Sequence, residues 1–156
     1  MAVVIQRLVP AEASGVLFTA DPASGRRDRI VVNAGWGLGE AVAGGLVTAD
    51  VLVADAVTGR VVTRRIADKQ VMTVPAGGGT AQVPVPRSRR RAPVLGDRAV
   101  TGLVRLGRRI EALQGGPVDV EWALAGGRLY VVQARPVTAI AGGDGSAGGM
   151  ERQPVR

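Results

Sequence analysis

The chain has 156 residues, a formal net charge of +7, and neither cysteine nor histidine. This composition excludes a disulfide framework, a thiolate metal site and a phosphohistidine carried by the chain itself. Its apolar runs fall short of the roughly 20 residues that a membrane span needs, and its N-terminus lacks the basic start and long apolar core of a secretory signal. The length is that of one domain, and we expect a cytoplasmic protein.

Three strands are predicted in the first third of the chain, over residues 3–9, 13–20 and 29–34. A glycine cluster, GWGLGE, follows at residues 35–40. A dinucleotide-binding loop requires G-x-G-x-x-G, and here Glu40 stands where the third glycine belongs, although Asp55 lies at the distance of a ribose-binding acid. A structural loop is therefore the better interpretation.

A strand pair is predicted over residues 48–54 and 59–66, joined by a turn at residues 55–59. Lys69 follows and is the only lysine of the chain. It could be a phosphate ligand, but lysines are usually solvated surface residues, and the second interpretation is favoured.

Residues 75–96 are rich in proline, glycine and arginine, and they predict an exposed, mobile connection around one strand at residues 80–85. Four arginines lie within residues 87–91. Nucleic-acid sites combine such charges with stacking aromatic residues or a helical face, and the sequence shows neither here. A solvated loop is favoured over a nucleic-acid site.

A helix that begins at an Asp97 cap is predicted next, and the Gly115-Gly116-Pro117 run ends it. Apolar spacing of three and four residues predicts one stripe that packs across the sheet. The stripe consists of Val100, Leu103, Val104, Gly107, Ile110 and Gln114, widened by Leu106 and Leu113.

Residues 118–137 predict two strands around a glycine turn. Strand alternation places Gln133 and Arg135 on one face, together with Leu129 and Val131. An odd loop would set Glu121 opposite Gln133 and Asp119 opposite Arg135, whereas an even loop would put the two rows on opposite faces. Hard oxygen donors beside a forked cation suit a magnesium-bound polyphosphate, and the alternative is a surface ion pair.

This hairpin resembles the end of the ATP-binding domain in the family of phosphoenolpyruvate synthases, pyruvate phosphate dikinases and rifampicin phosphotransferases. The matching residues are DVEW at 119–122 and QARP at 133–136. The resemblance continues in the same order through VIQ at 4–6, SGVLFT at 14–19, DP at 21–22 and GLGE at 37–40. It implies an ATP-grasp fold over residues 1–140, followed by a disordered tail at residues 141–156. The expected class is α+β: the C-terminal subdomain of that fold, with a mostly antiparallel sheet and one main helix packed across it.

The resemblance also implies roles for single residues. Glu121 and Gln133 would be ligands of Mg²⁺, and Arg135 would be the catalytic residue that holds the transferring phosphate of ATP. Asp119 would support Arg135. The hinge that holds adenine through backbone groups would consist of Gln6, Arg7, Leu8 and Val9, and Arg7 stands where an acidic or neutral residue is more usual.

The family's first ATP-grasp subdomain would precede Met1, and a phosphohistidine domain and an acceptor domain would follow Thr138. The expected function is therefore the ATP- and magnesium-binding portion of a phosphotransferase, incomplete alone, whose acceptor the sequence does not identify. The alternative is a stand-alone nucleotide-binding or interaction module without catalysis. A nucleic-acid-binding protein is the least favoured interpretation.

Overall fold

The computed structural model describes residue 3, residues 5–39, residue 42 and residues 48–137. Eight strands and two helices are described here, and their bounds in chain order are β1 Ala13–Phe18, β2 Arg29–Trp36, β3 Asp50–Asp55, β4 Val61–Arg65, β5 Val71–Ala76, β6 Gly79–Pro84, α1 Arg87–Arg90, α2 Asp97–Gln114, β7 Val118–Ala125 and β8 Arg128–Pro136. Six strands form one antiparallel sheet in the order β4-β3-β2-β1-β7-β8, and β5 pairs with β6 in a separate hairpin.

Helix α2 covers one face of the six-stranded sheet, and the core lies between them. Alternate residues of the central strands point to that face, as the period of two requires. Close packing is possible because Gly107 carries no side chain: a Cβ there would lie 2.6 Å from a methyl of Leu17. The buried core includes Leu17, Ile30, Val32, Leu52, Val100, Leu103, Val104, Val120 and Trp122. The α+β class, the mostly antiparallel sheet and the single main helix are confirmed.

The ends of α2 differ in part from the prediction. The N-cap is Gly96, and Asp97 lies in the first turn, where its carboxylate pairs with Arg64. The helix ends at Gly115, as expected. Gln114 and Leu113 are exposed instead of buried, because the stripe continues through Glu111, whose carboxylate is buried.

Glu111 can occupy the buried stripe because two cations meet it there. It accepts hydrogen bonds from Arg27 at 3.1 Å and from Arg108 at 2.5 Å. A buried carboxylate paired in this way avoids most of the cost of an isolated charge.

The strand predicted over residues 3–9 is absent from its described residues, which form no ladder with the sheet. Both edges of β1 are already paired, with β2 on one side and β7 on the other. The apolar side chains that suggested a strand are not buried either, since Ile5 and Leu8 are exposed.

The exposed connection predicted over residues 75–96 is confirmed for most of its side chains but not for all of them. Residues 79–84 do form a strand, but it pairs with Val71–Ala76, which the sequence reading missed. Further along, Val85, Val94 and Leu95 are buried in the described structure. The composition suggested a loop, whereas tertiary packing orders the segment.

The arginines within residues 87–91 lie in helix α1 or, in the case of Arg91, at its C-cap, so the segment is a short helix instead of a loop. Arg90 makes two hydrogen bonds to the Asp68 carboxylate, at 2.9 and 2.7 Å. The guanidinium of Arg89 lies 4.0 Å from the ring centroid of Trp36, and the indole N–H of Trp36 donates to the Arg89 carbonyl at 3.1 Å. These side chains hold α1 against the sheet.

Lys69 is buried, with 1% of its side chain exposed, and its ammonium lies 2.5 Å from the equally buried carboxylate of Asp50. That carboxylate also accepts the backbone N–H groups of Ala67 and Val94, each at 2.9 Å. The favoured interpretation of Lys69 as a surface residue is wrong, and the ion pair joins three segments of the chain.

Within the described part of the chain, every helix is too short or too polar to cross a bilayer. The predicted tail at residues 141–156 lies outside the described residues.

Candidate functional site

Strands β7 and β8 bring the two predicted metal ligands together. Glu121 pairs directly with Gln133, and Asp119 pairs with Arg135, so all four side chains lie on one face of the hairpin. The turn, however, has an even number of residues, because Ala125 pairs with Arg128 around two glycines with positive φ. A two-residue turn by itself would have placed Glu121 opposite Val132.

A β-bulge restores the predicted pairing. Trp122 pairs with Val131 and Glu121 pairs with Gln133, so Val132 is the extra residue of β8 and has no partner on β7. The bulge also changes which side chains of β8 lie on the same face of the sheet. Val131 shares the face of Trp122, and the expectation that it lies on the same side as Gln133 and Arg135 is wrong.

Asp119 holds Arg135 in a forked arrangement. The Arg135 Nε lies 3.3 Å from one carboxylate oxygen of Asp119, and an Nη lies 3.1 Å from the other. The guanidinium remains 57% exposed, whereas the carboxylate is 19% exposed. Asp119 therefore orients the cation while leaving its remaining donors accessible to an anion.

A cavity of about 260 Å³ adjoins this face. The predicted hinge residues Gln6, Arg7, Leu8 and Val9 line it, and so does Glu121. Gln133 and Arg135 are outside the lining: Gln133 pairs with the lining residue Glu121, and Arg135 lies two residue pairs farther along the hairpin. Glu121 is thus the residue that belongs both to the cavity and to the polar row.

Next to the cavity, two residues with a small side chain or none allow close backbone contacts. Ser14 lies beside it and donates a hydrogen bond to the Gly37 carbonyl at 2.7 Å. Gly37 has a φ of 79°, and a Cβ there would lie 2.2 Å from the carbonyl oxygen of Thr73. This close approach fixes the loop that carries Leu38, whose N–H donates to the same carbonyl at 2.8 Å.

The donor set fits a hard cation in its chemistry. One carboxylate and one amide oxygen on directly paired residues are donors that Mg²⁺ accepts, and Mg²⁺ commonly takes only one or two protein ligands beside phosphate oxygens and water. Among the described residues no group of three or more histidine, cysteine, aspartate or glutamate side chains could hold a metal ion by itself. Glu121 and Gln133 would hold such an ion only together with a bound phosphate.

Sequence reasoning did not assign to the site several residues that line the cavity, among them Val132, Leu38 and Thr80. Thr80 belongs to β6, which the reading had placed in an exposed connection. The signal for Val132 is indirect, since only the count of residues between Glu121 and Gln133 shows that an even turn needs one extra residue. Lys69, in contrast, is held by Asp50 and is not among the residues that line the cavity.

Asp55, considered as a ribose-binding acid, closes its own turn instead. Its carboxylate accepts hydrogen bonds from the Thr58 N–H and hydroxyl, each at 2.8 Å, and from the Val57 N–H at 3.2 Å. These bonds, those from Thr58 foremost, lower the pKa of Asp55 below its ordinary value.

Comparison with known proteins gives a consistent result. Residues 1–150 match the family described as "Pyruvate phosphate dikinase, AMP/ATP-binding domain". The chain is 49% identical over 140 residues to a rifampicin phosphotransferase of a Streptomyces species, which covers 90% of this chain and 16% of the relative. It is 43% identical over 140 residues to a probable phosphoenolpyruvate synthase of Archaeoglobus fulgidus, covering 90% of this chain and 18% of the relative.

A rifampicin phosphotransferase of Bacillus subtilis is 40% identical over 146 residues, again with 90% of this chain and 16% of the relative covered. The chain therefore spans less than one fifth of the length of these three relatives. The match to the family model extends over nearly the whole sequence. All residues that line the cavity lie within the matched range. The chain belongs to the pyruvate phosphate dikinase AMP/ATP-binding domain family.

Proposed function

We propose that this chain provides the ATP- and magnesium-binding portion of a phosphotransferase, and that other domains or chains complete the active site. The observation that carries the proposal is the position of Glu121. It lines the same cavity as residues 6–9 and pairs across the hairpin with Gln133. A nucleotide in that cavity would have its phosphates directed to the polar row.

The cavity suits the base of the nucleotide. Its lining is mainly apolar, with Leu8, Val9 and Val132 among its residues, and the described residues 5–12 form no strand. The backbone groups of residues 6–9 are therefore not committed to a sheet and can bond to an adenine edge. The cavity is small for a nucleotide site, which agrees with one wall of a cleft.

The polar row suits the phosphates. Phosphoryl transfer needs in-line positioning and neutralisation of charge more than covalent participation by the protein. Arg135, oriented by Asp119, would place a forked cation on the transferring phosphate. Glu121 and Gln133 would hold Mg²⁺, which when bound neutralises charge on the phosphate oxygens.

The other components of the reaction lie outside this chain. It contains no histidine to carry a phosphoryl group. A first ATP-grasp subdomain would supply the second wall of the cleft, and a phosphohistidine domain would receive the phosphoryl group. The relatives named above are two rifampicin phosphotransferases and a probable phosphoenolpyruvate synthase, so the acceptor would be a drug or a small carboxylic acid. We expect the protein to act in the cytoplasm, where ATP is available.

Calorimetric titration of Mg·ATP into the purified chain tests the proposal. The test variant is Glu121→Ala with Arg135→Ala. The matched control is Arg26→Ala with Asp28→Ala, which also removes one charge of each sign, from an exposed pair in another turn. Binding that only the test variant loses would support the site. Equal binding by all three proteins would contradict it, and a folded chain that takes up no nucleotide would show that the second wall is required.

A further inference from the structure

Gln6 links the N-terminal segment to the edge of the sheet. Its side-chain amide Nε2 donates a hydrogen bond to the Val132 carbonyl at 3.1 Å, across 126 positions of the sequence. Both residues line the cavity. This side-chain hydrogen bond ties residues 5–9 to strand β8.

The acceptor lies at the bulge of β8. Val132 has no pairing partner on β7, and β8 is the last strand of the six-stranded sheet in the described chain. A bulge disrupts the ladder locally, so the peptide there is held by fewer backbone hydrogen bonds than its neighbours. An additional anchor on the Val132 carbonyl therefore has more influence here than elsewhere in the strand.

The anchored carbonyl belongs to the peptide unit that joins Val132 to Gln133. Because a peptide is planar, fixing its carbonyl also fixes the direction of the following N–H and of the next Cα. That Cα carries the amide side chain that faces Glu121. The orientation of Gln133 thus depends on a hydrogen bond donated by Gln6, a residue of the N-terminal segment that lines the cavity.

We propose that Gln6 is a positioning residue that couples the nucleotide wall to the metal-holding pair of Glu121 and Gln133. The inference rests on the function proposed above. A nucleotide that orders residues 6–9 would also hold the Gln6 amide on the bulge, and Gln133 would then face Glu121 more of the time. Coupling of this kind is reciprocal, so Mg²⁺ would strengthen nucleotide binding by the same factor.

Gln6→Met tests the coupling, because methionine has a similar length and no charge but cannot donate to the carbonyl. We expect the Mg²⁺ concentration for half-saturation of the ATP-loaded chain to rise about fivefold, the scale of one hydrogen bond. The ATP affinity measured in EDTA should stay within about twofold. Gln6→Lys, which restores a donor, should recover most of the Mg²⁺ dependence. Gln114→Met, at an exposed glutamine of α2, is the matched control and should behave as the native chain.

A second readout needs no ligand. In amide NMR spectra of the free chain, Gln6→Met should shift the backbone and side-chain resonances of Gln133, whereas Gln114→Met should not. Unshifted Gln133 resonances, or a loss of ATP affinity that is equal with and without Mg²⁺, would overturn the proposal.

Glu121→Ala distinguishes failure of the proposed function from failure of the coupling. If this variant leaves the Mg²⁺ dependence intact, the metal assignment fails and the coupling fails with it. If Glu121→Ala abolishes that dependence while Gln6→Met does not, only the coupling is wrong.

Discussion

Glu121 and Gln133 face each other across β7 and β8 although the turn between these strands has two residues. Side-chain alternation with that turn would have put Gln133 on the helix-covered face, where an amide would lie in the core. One extra residue, Val132, returns the polar row to the open face. The bulge therefore determines whether this hairpin can present a set of polar side chains to a ligand.

The first prediction concerns the orientation of Arg135. In Asp119→Asn the guanidinium loses a carboxylate that it contacts at 3.3 and 3.1 Å. We expect Mg·ATP affinity to fall by about three- to tenfold, the cost of a less ordered charged donor, because the cation is no longer held towards the phosphate. The free energy of unfolding should change by less than about 1 kcal/mol, since the Arg135 side of the pair is exposed to solvent.

Calorimetry and urea unfolding on the same samples separate these two effects. Asp28→Asn provides the control, because it removes the acid of another exposed pair, with Arg26. If Asp119→Asn bound Mg·ATP as tightly as the native chain, Asp119 would have no orienting role.

The second prediction concerns the close approach of two strands and a tryptophan at Gly15. A Cβ at this position would lie 1.8 Å from the carbonyl oxygen of Asn33 and 2.9 Å from the Trp122 ring. Gly15→Ala should therefore destabilise the fold by about 3 kcal/mol or fail to fold, since the neighbours are backbone and a buried ring. Gly77→Ala meets no atom within 4 Å and should stay within about 0.5 kcal/mol of the native chain.

Urea unfolding followed by circular dichroism measures both variants. A Gly15→Ala chain as stable as Gly77→Ala would mean that β1 and β2 can separate without cost. It would also mean that the sheet under the cavity is less tightly packed than the structure indicates.

Local pattern was sufficient for much of this fold. The strands at residues 13–18 and 29–36 and the long helix follow from period and capping residues, and the structure has them close to the predicted bounds. The pairing of Glu121 with Gln133 was also predicted, but only for an odd loop. The structure reaches the same pairing through an even turn and a bulge, a combination that alternation of residues cannot reveal.

The sequence did not predict which charged side chains are removed from solvent by ion pairs. Lys69 and Arg90 look like surface residues because their environment depends on Asp50 and Asp68, which are distant enough in sequence to leave no local pattern. In the same way, the strand predicted at residues 80–85 is found at residues 79–84, but its pairing with β5 was not predicted.

The third prediction concerns pH. Hydrogen bonds from Thr58 lower the pKa of the Asp55 carboxyl in the folded chain, so the folded state favours its ionised form. The resulting stabilisation is complete above the pKa of the unfolded chain and is lost as the pH falls through the lower, folded-state pKa. Between about pH 7 and about pH 2, Asp55→Asn should lose less stability than the native chain.

Thermal unfolding across this pH range checks the Asp55 contribution. Thr58→Ala removes the hydroxyl donor but keeps the N–H donor, so its pH dependence should fall between those of Asp55→Asn and the native chain. If the melting temperatures of all three proteins fell equally with pH, this turn would not contribute to the loss of stability in acid.

The last prediction distinguishes a structural role for Lys69 from the phosphate-ligand role that its position as sole lysine suggested. Lys69→Met leaves the Asp50 carboxylate buried without its cation, although the N–H groups of Ala67 and Val94 still bond to it. Breaking a buried pair from one side costs about 3–5 kcal/mol, and we expect the lower part of that range here. Arg65→Met, at an exposed position of β4, should change stability by less than about 0.5 kcal/mol.

Urea unfolding measures the free-energy loss of Lys69→Met, and Mg·ATP titration of the fraction that remains folded measures binding. We expect a less stable chain with native affinity, because the ammonium bonds to Asp50 and to the Ala67 carbonyl instead of facing the cavity. A variant with native stability and lost affinity would instead identify Lys69 as a ligand of the phosphates.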